Sequence, residues 1–177
     1  MRLDLVDEYS LNASRREEIR HLLSASFPEA SYTRTRTYLK QFPPRRLLAY
    51  EADRLVGHLG LEHRAIGTSG GPQEILGVVD LCVSPPWRGR GVASQMLAWV
   101  ESLAQANRIP FLVLFAQDGR VYERNGFRHA CNPLRWAKIH EHQTIGVAEE
   151  PLVELMVKPV GTVPWPGGTI DLLGHQF

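Results

Sequence analysis

The sequence predicts an α/β fold built on a mixed β-sheet, and three observations carry that expectation. Strand-like runs at Arg46–Glu51, Leu55–Arg64 and Glu74–Val83 follow one another across short turns, as antiparallel neighbours do. Ile109–Phe115 is a short run that is apolar throughout, the pattern of a parallel strand covered on both faces. Between them, Gly89–Asn107 places Val92, Met96, Trp99, Val100 and Leu103 on one stripe at helical spacing.

Taken in chain order, residues 2–7 alternate around Leu3, Leu5 and Val6 and read as a first strand. Asn12 or Ser14 can cap a helix, with Glu17 placed to complete a capping box, and Ile19, Leu22 and Leu23 give it an apolar stripe that stops before Phe27-Pro28. A less regular helix is expected over Ser31–Gln41, stopped by Pro43-Pro44. Ala52-Asp53-Arg54 and Gly67–Pro72 are the turns of the antiparallel set. Beyond Phe115, a short helix is expected over Gly119–Asn125, ended by Gly126, with late strands at Phe127–Cys131 and Val153–Lys158. From Pro159 to the end, proline and glycine crowd a loop-like tail.

At 177 residues the chain reads as one domain, 1–177, long enough to bury a substantial core. The apolar share of 44% and charged share of 22% are those of an ordinary globular protein. A formal net charge of +1 gives no field that would favour nucleic acid or a membrane surface. Cys82 and Cys131, both in apolar stretches, cannot build a disulfide framework and suit a reducing compartment. No signal-peptide run follows Met1-Arg2-Leu3-Asp4 and no apolar stretch reaches spanning length, so a cytoplasmic location is expected.

The chemistry concentrates in Val78–Ala93, where an apolar strand carrying Asp80 runs through a turn into a glycine-spaced helix start. A helix N-terminus offers unpaired N–H groups and the positive end of its dipole to an anion such as a pyrophosphate. Gly89 and Gly91 let the backbone approach closely, and Arg88 and Arg90 add charge. A P-loop is excluded because Gly91 is followed by Val92-Ala93-Ser94 rather than Lys-Ser/Thr. A dinucleotide fingerprint is excluded because Ser94 stands where its third glycine belongs and Asp118 is too distant for its acidic residue.

The order Arg88-x-x-Gly91-x-Ala93 resembles the acyl-coenzyme A signature of the GCN5-related N-acetyltransferase (GNAT) family, and Tyr122-Glu123-Arg124-Asn125-Gly126-Phe127 resembles a second motif of that family. The resemblance covers about Glu74 through Phe127. It implies the acetyltransferase fold, a strongly twisted mixed sheet with helices on both faces, whose parallel strands Glu74–Val83 and Ile109–Phe115 splay apart to admit acetyl-CoA or another acyl-CoA. It implies that Arg88, Gly89, Arg90, Gly91, Val92 and Ala93 hold the pyrophosphate and that Leu81, Cys82 and Val83 meet the pantetheine arm; no metal is expected, since the histidines lack metal-motif spacing and the cysteines are not paired. Many members carry an asparagine and alanine ahead of the tyrosine, where this chain has Ala116–Val121.

Two residues are candidates for proton transfer. The Tyr122 hydroxyl, by the resemblance, faces the cofactor sulfur and can protonate the departing thiolate. Asp80 shares a strand face with Val78 and Cys82, so lost hydration would raise its pKa toward that of a base able to deprotonate an attacking ammonium. The competing readings are a packed tyrosine and a structural carboxylate. Cys82, two residues from Asp80, reads as a small hydrophobe rather than a nucleophile. Seven histidines include the trio His140-Glu141-His142, whose spacing is not that of a zinc motif and which reads as a solvated loop. Arg120, Arg124 and Arg128 read as a solvated helix face.

The tail, Leu155–Val160 followed by Trp165-Pro166-Gly167-Gly168-Thr169-Ile170-Asp171, resembles the ending of aminoglycoside 2'-N-acetyltransferases and of rhizobial nodulation N-acyltransferases. That resemblance implies a tail (159–177) packing near the acceptor side, with Trp165 stacking on a sugar and Asp171 attracting a cationic amine. The function expected is transfer of an acetyl group from acetyl-CoA to a primary amine of a small molecule, such as an amino sugar or aminoglycoside, by a monomer or homodimer. Transfer of a longer acyl chain to an amino sugar, and a non-catalytic acyl-CoA-binding regulatory module, are the alternatives.

Overall fold

The amino-terminal alternation forms strand β1 (Arg2–Asp7) in the computed structural model, which describes residues 1–177. Helix α1 (Ala13–Ser26) follows, then β2 (Arg45–Glu51), β3 (Arg54–Thr68), β4 (Gly71–Val83) and helix α2 (Val92–Ala106). The remainder is β5 (Phe111–Phe115), α3 (Arg120–Arg124), β6 (Arg128–His129), β7 (Pro133–His140), β8 (Gln143–Pro151), β9 (Leu155–Pro159) and β10 (Ile170–His175). The chain forms two compact units, Met1–Glu62 with Val78–Trp99, and His63–Gly77 with Val100–Phe177. Strands β3 and β4 and helix α2 run through both. No helix is long and apolar enough to cross a membrane.

In the first unit β1 pairs antiparallel with β2, and β2 antiparallel with β3. Alternation on β2 sends Leu48 and Tyr50 to a core with Ile19, Leu22 and Leu23 of α1. Ala49 points the other way, toward Gly57, Val92 and Met96, so α2 covers that face. The Asn12 side chain caps α1, accepting from the Arg15 N–H at 2.9 Å. Glu17 does not close the expected capping box, because the cap is Asn12 rather than Ser14 and Arg15 stands at the third helical position; its carboxylate pairs with Arg20 and His21 instead. The helix expected over 31–41 is only a 3₁₀ turn, Ser31–Arg34. Side chains compete for its backbone: the Thr33 hydroxyl donates to the Ala30 carbonyl, and the Thr37 carbonyl is claimed by Arg46.

Helix α2 begins at Val92 rather than Gly89 because Gly89 and Gly91 hold left-handed φ of +73° and +77°. Its buried stripe is Val92, Met96, Leu97, Val100 and Ala104, while Trp99 and Leu103 lie half-buried at its border.

In the second unit β4 pairs parallel with β5 from Ile75↔Phe111 to Gly77↔Val113, and β9 pairs antiparallel with β5 on the far side. The sheet continues outward through β6 at one end and through β3, β10, β7 and β8 at the other. The expected late strand over 127–131 shrinks to β6, since Phe127 is buried after the turn at Gly126 and strand pairing with β9 involves only Arg128 and His129. The sequence gives no notice of the hairpin of β7 and β8. His140 ends β7, and Glu141 and His142, at φ of +45° and +64°, form its tip.

The largest correction concerns the tail. Its end is strand β10, parallel to β7 through Ile170↔Leu134 and antiparallel to β3 through Asp171↔Gly67. Ile170 and Leu172 enter the core with Phe111, Val113, Leu134 and Val157, so alternation outweighs the glycine and proline content around it. Arg64 donates to the His175 carbonyl at 2.7 Å and stacks over the Phe177 ring. That ring lies against Gly77, where a Cβ would come within 2.8 Å of it. Cys82 is buried as expected, but Cys131 is exposed at the loop after β6.

Close packing of α2 on the first unit's strands is testable at Gly57, where an added Cβ would meet Met96 Sδ at 2.8 Å and Ala49 Cβ at 3.1 Å. Gly57→Val is expected to destabilise the protein by about 1–3 kcal/mol through overpacking, read as a lowered urea midpoint. An unchanged midpoint would show that α2 can move away from the sheet freely.

Candidate active site

Asp80 interrupts the alternation of β4. Its φ is +50°, a left-handed conformation that an aspartate tolerates better than most side chains yet still at a cost. The strict face-sharing of Val78, Asp80 and Cys82 expected from the sequence therefore does not hold. Val78 and Cys82 are buried, while Asp80 and Leu81 are both partly buried. The Asp80 carboxylate accepts a hydrogen bond from the Tyr32 hydroxyl at 2.9 Å. Burial raises the pKa of Asp80 above the ordinary carboxylate value, Glu62 adds to the rise, and the Tyr32 hydrogen bond and Arg46 oppose it. The Tyr32 hydroxyl is pushed well above the usual tyrosine range by burial and by the Asp80 charge, so it remains a donor at any working pH.

Behind Asp80 lies a buried polar chain. The His58 Nδ1 atom is 3.0 Å from the Asp80 carbonyl oxygen, and its Nε2 is 2.9 Å from Arg46 Nη1. Arg46 and His58 have no exposed surface at 0% each. The other Arg46 donors go to Glu8 and to the Thr37 carbonyl and hydroxyl at 3.0 and 3.1 Å, and Glu8 in turn accepts from Arg16. Burial first, then the Arg46 charge, lowers the His58 pKa from 6.5 to about 3, so the ring is neutral. Cys82 is pushed up to about 12, chiefly by burial, which removes the thiolate that a nucleophile would need.

Downstream of β4 the backbone turns through a 3₁₀ segment, Pro85–Trp87. The Arg88 side chain donates back to the Val83 carbonyl at 3.0 Å, and Arg90 stacks over the Trp87 ring at 4.9 Å. Gly89, Arg90 and Gly91 are exposed, and a Cβ on Gly89 would meet no atom within 4 Å. A Cβ on Gly91 would meet only the tip of Gln95, at 3.9 Å. The turn therefore presents open space above a bare backbone at the start of α2.

Asp80, Leu81–Val83 and Arg88–Ala93 thus belong to the first unit. Tyr122, Trp165 and Asp171 belong to the second. Tyr122 is half-buried on α3, its ring edge-on to Phe127 at 5.9 Å. The Trp165 ring packs edge-on against Phe111, and its N–H donates to the Asn132 side chain at 2.7 Å. Asn132 in turn donates to the carbonyls of Pro166 and Gly168, so the Trp-Pro-Gly-Gly stretch is clamped by one buried amide. Asp171 accepts from the Leu173 N–H at 2.8 Å and lies 3.9 Å from Arg135. Of the arginines weighed for phosphates, Arg120 is exposed and paired with Asp118.

The family model of the acetyltransferase (GNAT) domain matches residues 9–130, more than half of the chain. The chain belongs to the GNAT acetyltransferase family. No curated protein matches the sequence. Among solved structures, the GNAT fold is shared with the Escherichia coli N-acetyltransferase YhbS, solved with CoA, at TM-score 0.64 and 17% identity over 97% of this chain and 90% of that one. An aminoglycoside 6'-N-acetyltransferase complexed with coenzyme A aligns at TM-score 0.61 and 14% identity over 93% of this chain and all of that one. A GCN5-related N-acetyltransferase of Anabaena variabilis aligns at TM-score 0.57 and 16% identity over 73% of this chain. This GNAT chain spans about a third of that protein's length (33%). At such identities the likeness establishes the fold.

Asp80 and the glycine turn are legible in the sequence, whereas Tyr32, Arg46 and His58 escape a reading of it. Two of the three carry a signal: Arg46 opens the apolar run Leu47-Leu48-Ala49, and His58 stands alone among Val56, Gly57, Leu59 and Leu61. A polar side chain inside an apolar strand needs partners, and here the partners are each other. Tyr32 sits in an irregular segment with no such mark.

The two buried groups affect stability with opposite signs. Below its ordinary value of 6.5, His58 in the unfolded chain takes up a proton that the folded ring refuses until about pH 3. Folding stability therefore falls as pH drops through that window, by up to about 1.4 kcal/mol per unit. Asp80, with a raised folded pKa, takes up its proton earlier in the folded state than in the unfolded chain and so partly offsets the loss. Urea denaturation from about pH 7.5 to 4 is expected to show declining stability in the wild type, a shallower slope in His58→Gln and a steeper one in Asp80→Asn at the acid end. Identical slopes in all three proteins would contradict a neutral buried His58.

Proposed function

We propose that this protein is an N-acetyltransferase that moves an acetyl group from acetyl-CoA to a primary amine of a small molecule, by direct attack of the amine on the thioester. The observation that carries the reading is the Asp80 carboxylate: partly buried, raised in pKa, and held by the Tyr32 hydroxyl a short way along the chain from an open glycine-backed helix start. Bound acetyl-CoA supplies an activated acyl carbon and a thiol leaving group.

Aminolysis requires the free amine, because an ammonium has no lone pair. Asp80 takes up that proton, directly or through water, and its raised pKa brings its basicity closer to the amine's. Tyr32 occupies one carboxylate oxygen, Oδ1, and so fixes the rotation of the group while leaving the other oxygen for the proton. The backbone N–H groups of the Arg88–Ala93 turn hold the pyrophosphate, with Gly89 and Gly91 leaving room for its oxygens. Leu81, Cys82 and Val83 are assigned to the pantetheine amides, and Tyr122 to protonation of the departing thiolate, as the family motif implies.

The acceptor proposed first is an amine on an amino sugar. The support is the tail's resemblance to enzymes acting on sugar amines, and a fold shared with an aminoglycoside 6'-N-acetyltransferase. Trp165 and Asp171 are the candidate contacts. The Trp165 N–H is already committed to Asn132, so any sugar contact falls to the ring itself.

The experiment is release of the coenzyme A thiol from acetyl-CoA with kanamycin, glucosamine, spermidine and lysine as acceptors. Turnover with an amine is expected, and binding of acetyl-CoA without turnover of any of them would favour the regulatory module. Gly91→Val is expected to remain folded at some cost in stability, because valine is strained at φ of +77°, and to lose acetyl-CoA affinity in calorimetry by about 10-fold or more, since its side chain fills the space proposed for the diphosphate. Asp80→Asn is expected to lower turnover by about 10²-fold or more while keeping that affinity, with partial recovery as pH rises and solvent deprotonates the amine. Wild-type turnover in Asp80→Asn across that range would remove the base assignment.

A further inference from the structure

Arg46 and His58 have no solvent-exposed surface, so neither can touch a substrate. Their hydrogen bonds nevertheless end on the backbone of the residue assigned as base. The direction of that chain follows from donor chemistry. A guanidinium has only donors, so Arg46 Nη1 donates and His58 Nε2 accepts with its lone pair. The neutral ring then carries its proton on Nδ1, and Nδ1–H donates to the Asp80 carbonyl at 3.0 Å. Arg46 itself is held at its far side by Glu8 and Thr37, and Glu8 by Arg16.

The group so held is the strained one. Asp80 has φ of +50° within a strand, a conformation costing on the order of 1 kcal/mol or more that persists only where surrounding contacts impose it. Relaxation to extended backbone would carry the Asp80 side chain to the other face of β4, because side chains alternate with period two. We propose that Arg46 and His58 are positioning residues that lock the Asp80 peptide in its left-handed conformation and thereby aim its carboxylate at the reacting amine. The proposal rests on the assignment of Asp80 as base. His58 acts through a fixed tautomer and not as a proton carrier.

Two amide substitutions separate the two hydrogen bonds of His58. In His58→Asn the new amide nitrogen falls near the Nδ1 position and keeps the donor to Asp80. In His58→Gln the longer side chain reaches the Nε2 position and keeps only the acceptor for Arg46. The protein is assayed with acetyl-CoA and the fastest amine among kanamycin, glucosamine, spermidine and lysine, at temperatures well below each melting point. His58→Gln is expected to lose about 10²-fold in kcat with unchanged KM for acetyl-CoA. His58→Asn is expected to stay within about 3-fold of wild type in kcat, although its melting temperature falls.

The pH profile is the second readout. Asp80 is faced by the Tyr32 hydroxyl, by Arg46 from β2, by Glu62 from β3 and by Cys82 on its own strand. In His58→Gln the carboxylate leaves the setting of Tyr32, Arg46 and Glu62, so the acidic limb of the kcat profile is expected to move away from its wild-type position. A merely structural role would lower the folded fraction and leave the limb in place. Wild-type kcat and limb in His58→Gln, or equal losses in both variants, would overturn the proposal. Failure of the base assignment reads differently: Asp80→Asn would then turn over at the wild-type rate. Should either His58 variant not fold, ¹⁵N imidazole NMR of the wild-type protein decides. An Nδ1-protonated neutral ring is expected there, and an Nε2-protonated ring, or one titrating near its ordinary value of 6.5, would overturn the relay.

Discussion

A guanidinium deprived of all contact with water must find an acceptor for every donor it buries, and the first unit is arranged around that requirement. Arg46 lies on a central strand with no exposed surface. Its charge is balanced by Glu8, which follows β1 directly, and its remaining donors go to Thr37 and His58. Thr37, in the irregular segment between α1 and β2, accepts from this cation through both its carbonyl and its hydroxyl. His58 is neutral because it is buried with an arginine beside it, and Asp80 keeps its carbonyl where His58 can bond it. Such a network is an expensive way to fill a core, since apolar residues of the same volume often serve stability as well or better. Its retention is easier to understand if it orients something.

What it orients is the point where β4 departs from regular pleating. A strict period of two would have put Asp80 on the same face as Val78 and Cys82, and the sequence around it gives no sign of the departure, because Val79-Asp80-Leu81 contains neither glycine nor proline. Side-chain chemistry is therefore legible there while backbone geometry is not. The reverse holds at the following turn. Gly89 and Gly91 announce left-handed backbone plainly, and both adopt it. The strand–turn–helix centre of the fold, the parallel partner β5 and the amphipathic α2 are readable because period and punctuation agree with each other.

The tail shows where that agreement fails. A strand of 6 residues hides behind a segment rich in proline and glycine, and the alternation of Ile170 and Leu172 is masked by the composition around it. The strand exists because β3 and β7 offer edges to pair with, a condition set by residues far back in the chain. Trp165 illustrates the same limit from another side. Its sequence context fits a ring presented to a ligand, yet Asn132 turns its N–H inward and holds the carbonyls of Pro166 and Gly168 as well. One buried amide thus orders a stretch that composition alone would leave loose. The family motifs are easier to read because they lie in locally determined backbone, whereas the tail is ordered by long-range pairing that no single window of sequence displays.

The two cysteines differ so widely in setting that the chain carries a natural address for chemical labelling. Cys82 is buried with its thiol pushed up to about 12, while Cys131 is exposed at the loop after β6. A maleimide or disulfide-forming dye would therefore mark one position of the native protein without any engineered substitution. That position adjoins Asn132, the amide that clamps the Trp165 segment. A fluorophore there would sit beside the anchor of the tail and convert its ordering into an optical signal.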